Sequence, residues 1–214
     1  EAVFDREADH KKAIEVETEC AVLLENNGVL PLKPEQKVVY IGEFAENPRY
    51  QGGGSSHIHA SRVSSAGGTA MEKGRNITYV KGFPCDRDEV DEQQLKEAAE
   101  AAKAADVAVI FAGLPDVFES EGYDRTSMKM PECQNRLIEE VAKVQPNTVV
   151  VLHNGSPVET PWVKNVAAVL EMYLGGQGVG EGRCNFMVVD ASAHGLSSFY
   201  VRHMSCDEAN LRRS

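Results

Sequence analysis

Five short apolar runs, most of them separated by helix-like stretches, constrain this chain more than any other feature. They are KVVYIGE (37–43), ITYVKG (77–82), DVAVIFAG (106–113), NTVVVLHNG (147–155) and VAAVLEMYLGG (166–176). Each is rich in β-branched or aromatic residues and too short for a buried helix, so each reads as a buried strand. Residues 91–105 carry a helix pattern with acids at its start, and residues 131–144 another that opens on Pro131, where a proline is tolerated. A crossover helix is also expected within 59–74, although SSAGG weakens its pattern. Strands alternating with helices imply an α/β sandwich: a doubly wound, mostly parallel sheet of five to six strands with helices on both faces. Ahead of it, residues 6–25 read as an amphipathic helix with Ala13, Val16, Cys20, Leu23 and Leu24 on one side, stopped by Asn27-Gly28. LPLKPEQ then reads as a linker.

The segments after the strands are unequal. FAENPRYQGGGSSHIH, LPDVFESEGYDRTSMKM, NGSPVE and GGQGVGEG follow strand ends and are long, glycine-rich and polar; a connector such as QPN, on the opposite edge, is short. In a parallel sheet the former share one edge, outside the carboxyl ends of the strands, where open α/β sheets bind ligands.

Composition narrows the ligand. The 214 residues suffice for one large α/β domain, or a domain with an arm. A net charge of −11 argues against nucleic acid and anionic membranes as partners. No apolar run is long enough to span a bilayer and no signal peptide is read, leaving a cytoplasmic or a secreted bacterial location open. Cys20, Cys85, Cys133, Cys184 and Cys206 form no CxxC pair and read as reduced thiols. Asn76 and Asn154 begin sequons, which matter only in a protein secreted by a eukaryote.

Neither glycine loop has dinucleotide-binding spacing: in GGQGVGEG, position 181 is Glu where a glycine is needed. The P-loop and the nucleophile elbow of serine hydrolases are absent. His57 and His59 lack a third ligand at zinc spacing; they read plainly as part of a polar loop, with a contact to sugar as the better functional alternative. No metal and no cofactor is expected. What remains is the acid-rich FESEGYDR (118–125). Glycoside hydrolysis uses two carboxyl groups, and one loop carrying a Glu beside a Tyr and an Arg could supply half of that pair. The plain alternative is a solvated loop.

ECAVLLENNGVLPL, IGEFAENPRYQGGGSSHI, GLPDVFESEGYDR, VVVLHNGSPVE and VLEMYLGGQGVGEG, in that order, resemble the C-terminal α/β-sandwich domain of glycoside hydrolase family 3, the β-glucosidase family. The resemblance covers residues 1 to about 182. It implies retaining hydrolysis of terminal β-D-glucosyl residues, a β-glucoside or oligosaccharide as substrate, and a nucleophilic Asp on a (β/α)8 barrel that these residues do not contain. By the motif EGYDR it makes Glu121 the acid/base, with Glu119 as runner-up. It places the QGGGSS loop at the leaving-group subsite, with Arg49, Gln51, Gly53, Ser55, Ser56 and His57 as substrate contacts. Tyr123, Asp124 and Arg125 would brace the acid loop, Asp124 and Arg125 by pairing. A non-catalytic carbohydrate-binding or interaction module of the same fold is the alternative, and a homo-oligomer stays open. The implied organisation is a linker helix and arm (1–36), the sandwich domain (37–182) and a divergent tail (183–214). The tail departs from the resemblance and reads as an altered or out-of-frame end in which only FMVV suggests a strand.

Overall fold

The computed structural model describes residues 4–188. Within them lies one six-stranded sheet: β1 (Val22–Asn26), β2 (Val38–Ile41), β3 (Ile77–Val80), β4 (Val107–Gly113), β5 (Thr148–His153) and β6 (Ala168–Glu171). The helices are α1 (Arg6–Cys20), α2 (Ala66–Glu72), α3 (Glu92–Ala104), α4 (Glu132–Val144) and α5 (Val179–Val188). The strand order is β1-β6-β5-β4-β2-β3. All pairs are parallel except β1 with β6.

Every residue of β4 and β5 is buried, as strands covered on both faces must be. Alternate residues of β4 serve opposite cores. Val107, Val109 and Phe111 join Tyr40, Leu170, Ala66, Ala70, Cys184 and Met187 beneath α2 and α5. Ala108, Ile110 and Ala112 join Ile41, Leu95, Ala98, Leu137, Ile138 and Trp162 beneath α3 and α4. Leu137 is wholly buried, so Leu137→Ala is expected to cost about 2–5 kcal/mol of unfolding free energy by transfer and cavity terms together. Urea melts compared with those of the unaltered chain check this.

Two local expectations change. The N-terminal helix ends at Cys20, and Val22–Asn26 pairs with β6 instead of continuing it. The reason lies in the inward face of α1. His10 and Glu17 are buried there, while Val16 is 48% exposed. The apolar residues after Cys20 gain more by adding an antiparallel strand to the sheet, which therefore reaches back across the boundary expected at residue 37. FMVV does not begin a strand: α5 runs to Val188, with Cys184 and Met187 in the core and Leu32 N–H donating to Met187 O at 2.7 Å. The rest of the tail lies outside the described residues.

The topology fixes where a site can form. The loop after β2 leads to α2 on one face, and the loop after β4 leads to α4 on the other. Between their carboxyl ends opens the crevice in which such sheets hold ligands.

Candidate active-site loops

Arg49 fills that crevice. Its guanidinium is buried, and four of its five N–H groups are spent on the loop after β4. Nε donates to Asp116 Oδ1 at 2.7 Å. Nη1 donates to Leu114 O at 2.6 Å and to the Glu119 carboxylate, and Nη2 to Glu119 O at 2.9 Å. The expected sugar contact is thus committed to its own protein.

Glu119, the runner-up acid, is equally engaged. Its side chain is 16% exposed. Oε2 accepts from Arg49 and from Gly155 N–H at 2.9 Å, and Oε1 accepts from the Ser156 hydroxyl. Burial alone would raise its pKa, but the Ser156, Gly155 and Arg49 bonds outweigh it and hold the carboxyl below the usual range. A group stabilised so firmly as an anion is a poor proton donor.

Glu121 differs. It is exposed, and its Oε2 accepts from Ser55 N–H at 2.5 Å while its own N–H donates to Gly53 O at 3.3 Å. The bonds from Ser55 keep its pKa below the ordinary value. The QGGGSS glycines are explained by this contact. A Cβ on Gly53 would meet Ser120 Oγ at 2.7 Å, and one on Gly54, whose φ is +99°, would meet Glu121 Cβ at 2.4 Å. Two backbones can approach so closely only without side chains. Gly54→Ala is therefore expected to part the two loops, break the Ser55–Glu121 bond and return Glu121 toward an ordinary carboxyl titration. Carboxyl-carbon NMR would read the change.

The remaining expected residues divide by role. Gln51 pins its own loop: Nε2 donates to Ile58 O and to Tyr50 Oη, both at 2.8 Å, and Oε1 accepts from Ile58 N–H at 3.0 Å. Ser56 and His57 are exposed at the tip, with the His57 ring edge-on to His59 at 5.7 Å. Tyr123 and Asp124 are exposed. Arg125 braces the acid loop through Ser156 Oγ (2.8 Å), Pro157 O (3.2 Å) and Lys129 O (3.2 Å) instead of through Asp124. Two hollows flank these loops. One of about 580 Å³ opens outside β2, β3 and β4, with Phe44, Asn47, Lys81, Arg87 and Asp116 in its wall. The other, about 480 Å³, lies between Tyr50, Gln51, Ile58, His59, Gln177 and Arg6. Glu121 lines neither.

Behind Glu119 lies a buried polar group that sequence reasoning missed. Asn154 donates to Glu171 Oε2 and to Ser156 O, both at 3.1 Å, and Tyr173 N–H donates to Glu171 Oε1 at 3.0 Å. Its burial leaves the Asn154 sequon unable to take a glycan. Arg183 is fully buried, 4.0 Å from Glu17. Burial pushes Glu17 and Glu171 up to about 7 and Arg183 down to about 9, and holds the fully buried His153 neutral. The only clue in the sequence was GGQGVGEG. Its glycines make room for α1 and for the segment before α2: a Cβ on Gly175 would strike the Glu17 carboxylate, and one on Gly180 the backbone of Ser65.

In chemical terms, of the two candidate acids this edge leaves only the Glu121 carboxylate open to solvent, while that of Glu119 is held by Arg49, Gly155 and Ser156. Relatives show what such a domain is part of. The chain is 51% identical over 187 residues to thermostable beta-glucosidase B of Acetivibrio thermocellus, covering 84% of this chain and 24% of that protein. It is 43% identical over 188 residues to an exo-alpha-(1->6)-L-arabinopyranosidase of Bifidobacterium longum, covering 83% and 25%. A crystal structure of a GH3 beta-glucosidase from Bifidobacterium adolescentis superposes with a TM-score of 0.84 at 39% identity, over 87% of this chain and 28% of that one. The chain thus spans about a quarter of the length of each. Residues 21–206 match the glycosyl hydrolase family 3 C-terminal domain, and the chain belongs to that family.

Proposed function

We propose that this domain supplies the acid/base, Glu121, of a retaining β-glucosidase whose nucleophile lies outside these 214 residues. The observation that carries the reading is that Glu121 alone, of the two candidate acids, keeps its carboxylate open to a substrate while its loop is fixed from both sides. In the open chain the carboxyl is held ionised. A second domain closing over it would strip its water and raise its pKa toward that of a general acid, leaving Glu119 anchored as an anion. The donor is therefore incomplete until the site closes, and the nucleophile must approach from the other face of the sugar. The purified chain is expected not to turn over aryl β-glucosides. The same chain, exchanged for the matching quarter of the Acetivibrio thermocellus enzyme, is expected to give turnover that depends on Glu121. Parallel assays with aryl α-L-arabinopyranosides decide which sugar is accepted. Turnover of the exchange enzyme that ignores Glu121 would refute the assignment.

The second reading, a sugar-binding module, is favoured by the 480 Å³ hollow beside Gln51 and His59, which contains no carboxylate. Under that reading the chain alone binds glucose or cellobiose in a calorimetric titration, and Glu121→Gln leaves binding unchanged.

A further inference from the structure

The geometry points to Arg49, Glu119 and Ser156 as one positioning relay that sets where Glu121 stands; the inference rests on the acid/base reading above and deepens it. The acid loop is held at two places with Glu121 between them. On the near side, Arg49 grips Leu114, Asp116 and Glu119. On the far side, Arg125 donates to Ser156 Oγ at 2.8 Å. Ser156 joins the two, because its hydroxyl donates to Glu119 while accepting from Arg125. Gly155 N–H adds a backbone bond to the same carboxylate. Three loops, those after β2, β4 and β5, are thereby tied to one half-buried anion, and what they leave exposed is Glu121–Gly122, turned by Gly122 at φ +76° and closed by Tyr123 N–H on Ser120 O at 3.1 Å.

The Ser55–Glu121 bond joins the two loops at their tips and depends on this relay. The loop after β2 enters the crevice at Arg49 and reaches Ser55 six residues later, so Arg49 sets the height at which Ser55 meets Glu121. A lysine at position 49 keeps the charge but cannot supply four directed bonds. A glutamine at 119 keeps the shape but removes the anion on which Arg49 and Ser156 converge. Both changes lie away from the reacting atoms, so Arg49, Glu119 and Ser156 are positioning residues and not catalytic ones.

The test uses the full 214-residue chain and needs no turnover. Amide exchange at Ser55 and Glu121, and the carboxyl-carbon titration of Glu121, are measured in the unaltered chain and in Arg49→Lys, Glu119→Gln and Ser156→Ala. Glu140→Gln, on the partly exposed outer face of α4, serves as control. The expected result is at least roughly tenfold faster exchange at Ser55 in Arg49→Lys and Glu119→Gln, a Glu121 titration displaced toward the ordinary carboxyl value, and unchanged protection in β4 and β5, as for a local opening. Ser156→Ala, which removes the two bonds of one hydroxyl and leaves the Arg49–Glu119 contact in place, gives a smaller change of the same sign. Unchanged Ser55 exchange and Glu121 titration in whichever of the three variants retain protection in β4 and β5 overturn the inference. Because the readout is independent of catalysis, its failure is separable from failure of the acid/base assignment: the latter shows as turnover that ignores Glu121→Gln even though the relay variants shift the Glu121 titration.

Discussion

Glu121→Gln, in an enzyme that carries this chain beside a glycosidase barrel, is expected to lower kcat/KM for a poor leaving group such as an alkyl β-glucoside by about 10²–10⁴-fold, the usual contribution of a positioned general acid. The same change should affect an aryl glucoside with a strongly acidic phenol far less in the first step, because such a phenol leaves without a proton. That contrast separates a lost proton donor from a damaged site, which would slow both substrates alike. Glu119→Gln carries the opposite signature. Its carboxylate is bonded by Arg49, Gly155 and Ser156 and held below the usual carboxyl range, so its loss should weaken both substrates in similar proportion by loosening the loop. If the two variants exchange these patterns, the acid is Glu119.

The second large effect is on stability, and it runs against the usual preference for neutral pH. Glu17 and Glu171 are buried with pKa values pushed up to about 7 from an ordinary 4.5. Folding therefore takes up protons on both, and their contribution is full below about 4.5 and lost as pH rises through about 7. Each is worth about 1.4 kcal/mol per pH unit within that window. His153 opposes them: held neutral in the fold, it costs a similar slope once the unfolded chain begins to protonate below 6.5. Arg183 stays charged in both states throughout and adds no slope. Two groups against one leave a net gain of about 1.4 kcal/mol per pH unit on acidification from 6.5 toward 4.5. Below that, the depressed carboxyls Glu119, Glu121 and Glu140 turn the curve downward. Urea unfolding at pH 5 and pH 7 is expected to show the more stable domain at pH 5, and Glu17→Gln with Glu171→Gln to reverse the order. A wild-type domain more stable at pH 7 would contradict the buried pair.

Much of this architecture is legible in the sequence because the runs at β2, β4 and β5 are buried on both faces, and continuous burial leaves a continuous apolar word. The acid loop was legible as a crowd of carboxylates after one of those runs. What stayed hidden needed spatial neighbours. The different engagement of Glu119 and Glu121 depends on Arg49, 70 residues away from Glu119. Two of the three partners of Arg125 lie 31 and 32 residues away, on the loop after β5. The edge strand β1 was hidden for another reason. Its apolar residues continue a helical pattern, and only pairing with β6 makes the extended conformation win.

That edge strand also sets a timetable for the chain's own birth. Val22 pairs with Glu171, about 150 residues later. A ribosome adding about 5–20 residues per second takes roughly 7–30 s to cover that distance. Throughout the interval Val22, Leu23 and Leu24 have no sheet to join, although β2, β3 and β4 can already pair with one another. An apolar segment that waits so long with its backbone groups unmet is open to capture by a neighbouring nascent copy. Yield in cells should therefore depend on chaperone supply and synthesis rate more than the finished domain's stability suggests.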